Sequence, residues 1–401
     1  MSGQLDDFRW LVDEDGRQWL RRAQENQGSA LAISRQLRKS LPSERARLVV
    51  EQVELRRRAA TKFENSEQMF FTPVGLEQAT DAWIAAHKAA RFPQSGPVAD
   101  LCCGIGGDLL ALAARGPVTG VDRDPIATLF ARANLQATGS AGMGFGSATV
   151  RTADVAECDV RGLDAWHIDP DRRAQGRRST QPQWHEPGPA VVQRLLSEQP
   201  TAAIKLAPAA EVPDSWSVAA ELEWISRQRE CRQLVVWLGD LARDPGKRRA
   251  TIVSRHNRLG AVTRSLVGVP SRTPYAQRVG RYVFDPDAAV LAAGLLGVLA
   301  AEHGLQALGP TGCYLTGDQP EHDPALACFE ALDVIPFDLK RLRRLLRQRG
   351  IGRLEIKKRG LNETPESLRR RLGLKGDEEA VLVITPVGGS VHAILARRVV
   401  Q

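Results

Sequence analysis

Between Val98 and Asp108 the chain reads Val-Ala-Asp-Leu-Cys-Cys-Gly-Ile-Gly-Gly-Asp. A short apolar run that stops at a glycine-rich turn and passes into the apolar stretch Leu109–Arg115 is a strand, a tight loop and a helix. The same grammar repeats. Val118–Val121 reads as a second strand, followed by a helix from Pro125 to about Thr138, with proline at its first position. After a glycine-rich loop at Gly139–Gly146 come strands at Ala148–Thr152, Ala165–Ile168 and Ala202–Leu206, with a helix ending at Glu198 before the last. Repeated strand-helix units require right-handed crossovers and give a parallel sheet. Glu221–Ser226 and Gln233–Leu238 read as two later strands that add an antiparallel edge.

Either side of this core the texture differs. The first 75 residues read as helices, including one from Glu44 to about Ala60 with Ser43 as its N-cap. A further helix is expected from about Leu76 to Ala90, after Thr72-Pro73. Beyond about Gly268 the alternation ends. An apolar helix at Ala288–Ala301, basic helices at Leu339–Gln348 and Pro365–Leu372, a strand at Leu354–Lys357 and a terminal hairpin around Gly388-Gly389 make a separate α+β module. The expected domains are therefore 1–75, 76–268 and 269–401, in an α/β chain with a Rossmann-like sheet.

Composition excludes several classes. Of the 401 residues, 43% are hydrophobic and 25% charged, as in globular proteins. No apolar run is long enough to span a bilayer, and acidic residues stand where a signal peptide would need basic ones. Six cysteines without CxxC spacing and seven scattered histidines argue for no disulfide framework and no metal site. A cytoplasmic protein is the expectation. Charge is concentrated: between Lys340 and Lys375 fourteen Lys and Arg stand against Glu355, Glu363 and Glu366, an excess above the whole chain's +8. Such a block is either a solvated helix face or a surface for a polyanion.

The glycine turn defines the chemistry. A strand ending in an acid and then a glycine loop form a ligand site at the carboxyl edge of a parallel sheet. GxGG preceded by Asp-Leu-Cys-Cys is not the GxGxxG that cradles a pyrophosphate, and Asp108 near the helix start would repel a diphosphate. A cationic ligand without phosphate suits it better, and S-adenosylmethionine is one. Asp122 ends the second strand, twenty-two residues after Asp100, where an acid can accept both ribose hydroxyls. Asp154 follows the third strand, within reach of an adenine amino group. Any one of these acids could instead be a turn former; the three together with the glycines point to the cofactor. The candidate cofactor residues are Asp100, Cys102, Gly104, Gly106, Gly107, Asp108, Asp122 and Asp154.

These motifs, DLCCGIGGD, VDRDP, TADV and IDPDRR, resemble in order those of class I methyltransferases. The chain as a whole is similar to bacterial methyltransferases with a C-terminal THUMP-like domain, related to RNA cap guanine-N2 methyltransferases such as trimethylguanosine synthase. The segments Met69–Thr80, Ile204–Pro208, Tyr314–Asp318 and Leu354–Gly360 extend the likeness over nearly the full length. The resemblance implies an S-adenosylmethionine-dependent enzyme that methylates a nucleobase nitrogen, guanine favoured, in structured tRNA or rRNA presented by the THUMP-like fold. A small-molecule or protein methyltransferase, or a non-catalytic RNA-binding protein with a vestigial cofactor fold, are the competing readings.

Enzymes that methylate base nitrogens often carry [DN]PP[YF] after the fourth strand. Here Asp169-Pro170 is kept, but Asp171 and Arg172 replace the second proline and the aromatic. Asp169, Pro170 and Arg172 are the candidate catalytic residues, and Trp166 and His167 read as packing. Arg172 could stack on a base or pair with a phosphate. With Arg173, Arg177, Arg178, Lys357, Lys358 and Arg359 it makes the candidate nucleic-acid contact set, since clustered cations grip phosphates without reading sequence.

Overall fold

The structure, a computed structural model, describes residues 2–26, 28–139, 148–172, 179–217, 219–256, 260–309, 313–358 and 363–399. They fall into two compact units, residues 1–221 with 234–245, and 222–233 with 246–401. The chain thus passes between units three times. This division does not follow the expected boundaries at 75 and 268: the N-terminal helices share a core with the glycine loop, and the strands before 268 pack on helices that come after it.

In the first unit, α1 (Ser2–Val12), α2 (Glu14–Glu25), α3 (Ala30–Leu37) and α4 (Ser43–Ala59) precede α5 (Pro73–Gln78) and α6 (Ala82–Ala89). Then come β1 (Val98–Leu101), α7 (Leu109–Ala113), β2 (Val118–Asp122), α8 (Pro125–Ala137), β3 (Ala148–Thr152), β4 (Ala165–Ile168), α9 (Pro189–Glu198), β5 (Ala202–Leu206) and α10 (Asp214–Ser217). The strand order is β3-β2-β1-β4-β5, all parallel. β1 therefore lies between β2 and β4, and the order reverses there, which opens a crevice outside the carboxyl ends of the strands. Residues 234–238 run antiparallel beside β5, from Leu206↔Leu234 to Ala202↔Leu238. Leu11, Leu20, Val49 and Phe71 of the helical region form one buried cluster with Ile105 of the glycine loop and Phe130 of α8.

One helix was expected over Leu76–Ala90, but the chain breaks at Ala79–Asp81. The Asp81 side chain accepts from the amides of Trp83 and Ile84 and starts α6 afresh. Pro42, not Ser43, is the N-cap of α4.

The second unit holds β6 (Glu221–Arg227, entering at Leu222), the first residues of β7 (Glu230–Leu238), β8 (Arg248–His256), β9 (Gly260–Gly268) and β10 (Tyr282–Pro286). It continues with α11 (Ala288–Ala293), α12 (Leu296–His303), β11 (Gln306–Ala307), β12 (Leu315–Gly317), β13 (Leu326–Pro336), α13 (Leu339–Gln348), β14 (Ile351–Lys358), α14 (Pro365–Leu372), β15 (Glu378–Val387) and β16 (Ser390–Arg398). Seven strands form a sheet in the order β11-β12-β10-β13-β16-β15-β14, with β14 parallel to β15 and the rest antiparallel. The expected hairpin is β15-β16, from Val381↔Ala396 to Val387↔Ser390. The helix expected over Ala288–Ala301 is two, because Gly294 takes φ 69° and ends α11. β8 pairs in parallel with β6 and antiparallel with β9, and Arg248 donates to the Ala293 carbonyl of α11 at 3.1 Å. No helix among the described residues is long and apolar enough to cross a membrane.

Candidate functional site

A cavity of about 560 Å³ opens at the carboxyl ends of β1, β2 and β4. Its lining includes seven of the eight candidate cofactor residues, all but Gly106, together with Asp169, Pro170 and Arg172. The loop that floors it is held from several sides. Asp122 accepts from the Gly104 amide at 2.8 Å and from that of Asp124 at 2.9 Å, so the end of β2 is tied to the glycine turn. Gly106 stands at φ 96°, where a side chain would be strained, and its carbonyl accepts from Leu110 to begin α7. Gly107 serves the chain's own packing: a Cβ there would meet the backbone of Thr80 at 3.0 Å. Cys102 is a non-glycine residue at φ 58° and lines the cavity; burial pushes its thiol well up. Asp154 caps a short 3₁₀ turn through the Ala156 amide at 2.8 Å.

Beneath the loop lies a buried charge network that the sequence did not announce. Asp108 binds Lys88 of α6 at 2.7 Å and accepts from Thr80 Oγ1 at 2.7 Å. Lys88 Nζ also lies 3.2 Å from His167 Nε2, and His167 Nδ1 lies 2.7 Å from Asp100. The pattern closes when Nε2 accepts from the lysine and Nδ1–H donates to Asp100. His167, expected to be packing only, is thus a polar link, whereas Trp166 is fully buried and donates to the Gln199 carbonyl at 2.8 Å. Burial alone would raise the Asp108 carboxyl, but the ammonium of Lys88 first, with that of Lys205, holds it below the ordinary range. Asp100 goes the other way: burial raises it against the pull of His167.

The Asp169-Pro170-Asp171 segment leaves β4 at the cavity rim, with the Asp169 amide donating to the Leu101 carbonyl at 3.2 Å. Asp169 forms an ion pair with Lys205 of β5. Asp171 accepts from Gln78 of α5 at 3.3 Å, and its backbone pairs both ways with Glu186, at 2.8 and 3.0 Å. That pairing explains the departure from Asp-Pro-Pro: a proline at 171 has no N–H to give Glu186. Arg123 pairs with the Glu186 side chain.

Of the candidate nucleic-acid residues, Arg173, Arg177, Arg178 and Arg359 lie outside the described residues, as does most of the glycine-rich loop 139–146. In the second unit Lys357 is turned toward carboxylates rather than solvent, at 2.9 Å from Asp285 and 3.2 Å from Glu355. The cations of α13 are different: Lys340, Arg341, Arg343, Arg344 and Arg347 are exposed around buried Leu342 and Leu346. Glu302, His303 and Asp323 are spaced as metal ligands could be. Their carboxylates are engaged instead, Arg264 reaching Glu302 and Asp323 while His303 bonds Asp323 and Glu321.

Residues 326–398 match the THUMP domain-like family, and residues 4–59 match a domain of unknown function (DUF8688). An uncharacterized S-adenosylmethionine-dependent methyltransferase of Mycobacterium tuberculosis, found in two strains, is 35% identical over 366 residues, covering 88% of this chain and 96% of the relative. The chain belongs to the S-adenosylmethionine-dependent methyltransferases. A solved candidate methyltransferase of Porphyromonas gingivalis shares the fold, with TM-score 0.72 and 21% identity over 92% of this chain and 98% of that one.

The methyltransferase cavity fits its cofactor, which supplies a methyl group on a cationic sulfur. Among the described residues, seven aspartates and one glutamate line it against two arginines, a balance that favours a cation and disfavours a diphosphate. Asp100 Oδ2 is buried and has no hydrogen-bond partner among the described residues, an acceptor available to the methionine ammonium. A Cβ on Gly104 would meet nothing within 4 Å, so the turn keeps room for a ligand against its backbone.

Proposed function

We propose that this methyltransferase methylates a nucleobase nitrogen, guanine favoured, in structured RNA such as tRNA or rRNA. The observation that carries the reading is that Asp169-Pro170 opens on the same cavity as the glycine loop. In this reading Asp122 takes the ribose hydroxyls and Asp154 the adenine amino group. Asp100 and Asp108 form the acidic floor under the methionine end, with Cys102 and Gly104 giving close backbone approach. Asp169 accepts from the base amino group and aligns it with the methyl carbon. S-adenosylmethionine, when held there, would supply the methyl group and leave as the neutral thioether, the acceptor nitrogen losing its proton to solvent. Positioning and exclusion of water supply most of the acceleration. Arg172 faces the cavity where the usual aromatic would stand, and its guanidinium plane can lie on a base. The basic faces of α13 and α14 and the THUMP-like match support RNA as the bearer of that base.

The test is methyl-labelled donor incubated with total RNA from a strain lacking the protein, followed by digestion to nucleosides. Label in a modified guanosine is expected. Asp169→Ala should lower turnover at least about a hundredfold while S-adenosylhomocysteine still binds, and Asp169→Asn should retain more activity because its amide oxygen still accepts. Full turnover by Asp169→Ala removes this residue from the reaction. Label found only in protein or small molecules overturns the RNA reading.

A further inference from the structure

We infer that Lys205 is a positioning residue for methyl transfer, holding the Asp169 carboxylate turned so that one oxygen is left for the methyl acceptor. The inference rests on the reading above in which Asp169 receives that acceptor. Lys205 is the anomaly of its strand. β5 reads Ala-Ala-Ile-Lys-Leu, every position is buried, and Lys205 itself is only 7% exposed between Ile204 and Leu206. An ammonium taken out of water is tolerated only with partners, and a well-packed apolar residue is usually as stable or more so. The strand does not need the charge to stay in place, because β4 and β5 are already laddered from Trp166↔Ala202 to Ile168↔Ile204.

The ammonium's contacts say what it is for. Lys205 Nζ pairs with Asp169 Oδ2 and reaches the Gln78 carbonyl at 3.4 Å. Asp169 Oδ1 makes no hydrogen bond among the described residues, and the Asp169 side chain is 25% exposed at the cavity. One oxygen is fixed and the other is presented. Gln78 extends the arrangement, since its side chain donates to Asp171 on the other side of Pro170. The two acids flanking the proline are therefore gripped from β5 and from α5. Burial would strip the proton from Lys205, but Asp169 first and Asp108 after it more than offset that, so its proton is held more tightly than usual. Rigidity that a second proline would give this turn comes instead from the lysine, the glutamine and the bridge to Glu186.

The experiment uses the full chain and methyl-labelled donor, offered separately to the RNA, protein and small-molecule fractions of a strain lacking the protein. Lys205→Met is expected to lower kcat by about ten- to a hundredfold, with S-adenosylhomocysteine affinity within about threefold of wild type. Lys205→Arg should recover part of the loss, and Lys205→Met with Asp169→Ala should be no slower than Asp169→Ala alone, because both act on one carboxylate. Should Lys205→Met fail to fold, Lys205→Gln replaces it in the same comparison. Undiminished kcat in the single variant, or losses that multiply in the double variant, overturns the inference. Label in protein with kcat reduced in Lys205→Met sinks the RNA reading and leaves the lysine's role standing. Label in RNA with kcat unchanged does the reverse, and label in no fraction overturns both.

Discussion

Asp108 shows how much a single carboxylate can carry. It lines the cavity and also neutralises Lys88, a buried cation that the fold could not otherwise hold. Because Lys88 and Lys205 depress its carboxyl below the unfolded value, its contribution to stability is fully present above about pH 4 and is lost as the pH falls through the lower folded value. Asp100, raised by burial, works in the opposite direction, so the comparison must be between wild type and a single variant. The melting temperature of Asp108→Asn should be lower than wild type near neutrality and should fall less steeply on acidification below about pH 4. Parallel melting curves against pH would show that Asp108 is not the group responsible. Sequence showed the acids of this site but not its two buried lysines. Asp100, Asp122, Asp154 and Asp169 each end or follow a strand, so spacing exposes them; Lys88 and Lys205 lie on a helix and a strand more than a hundred residues apart, and nothing local marks their meeting.

At the level of elements, the segment Met69-Phe70-Phe71 forms no strand; its Met69 amide donates to the Ser66 carbonyl and the rest of its backbone is satisfied by side chains. Arg56 donates to the Met69 carbonyl at 2.8 Å, Asn134 accepts from the Phe70 amide at 2.7 Å and donates back to its carbonyl at 3.1 Å, and Gln52 does the same for Phe71. Asn134 also donates to the Ile105 carbonyl at 2.9 Å, so one amide from α8 fastens the approach to α5 and the glycine loop together. Asn134→Ala strands buried backbone groups at both places. It should cost about 2–4 kcal/mol by chemical denaturation and weaken S-adenosylhomocysteine binding in the same preparation. A cost below about 1 kcal/mol would mean that water replaces the amide. The alternating strands and helices from Val98 to Leu206 were legible because each apolar run is bounded by glycine, proline or an acid. β13 was not, since Leu-Ala-Cys-Phe-Glu-Ala-Leu-Asp-Val has as much helical as strand character and takes its form from β10 and β16. The two helices read as single failed at Asp81 and at Gly294, residues that restart or end a helix without interrupting its hydrophobic pattern.

For the whole molecule, the basic residues of the second unit divide into spent and available charge. Arg397 and Arg281 pair with Glu330, Arg398 and Lys357 with Glu355, and Arg371 with Glu363. Among the described residues, the cations of α13 are the largest exposed group, with Arg369, Arg370 and Lys375 nearby in sequence. If they bind RNA phosphates, replacing Lys340, Arg341, Arg344 and Arg347 by glutamate should flatten the slope of log affinity against log salt, measured with tRNA by fluorescence anisotropy. The change should reach about 0.7–0.9 for each phosphate that is no longer neutralised. Replacing Lys357 should change the slope little and reduce stability instead. An unchanged slope in the α13 variant would place the phosphate-binding surface elsewhere.

The three passages of the chain between its units bear on how such a protein can be inherited. A recombination event joins two sequences at one point, but here residues 222–233 leave the first unit and 234–245 return to it before the second resumes at 246. Any single junction within that stretch would pair a strand from one ancestor with a neighbour shaped by another. A junction near 268 would separate β9 from α12, where Gly268 already lies so close to Val298 that a Cβ would meet its side chain at 2.9 Å. A single junction in either place therefore cannot exchange one unit without splitting packed neighbours.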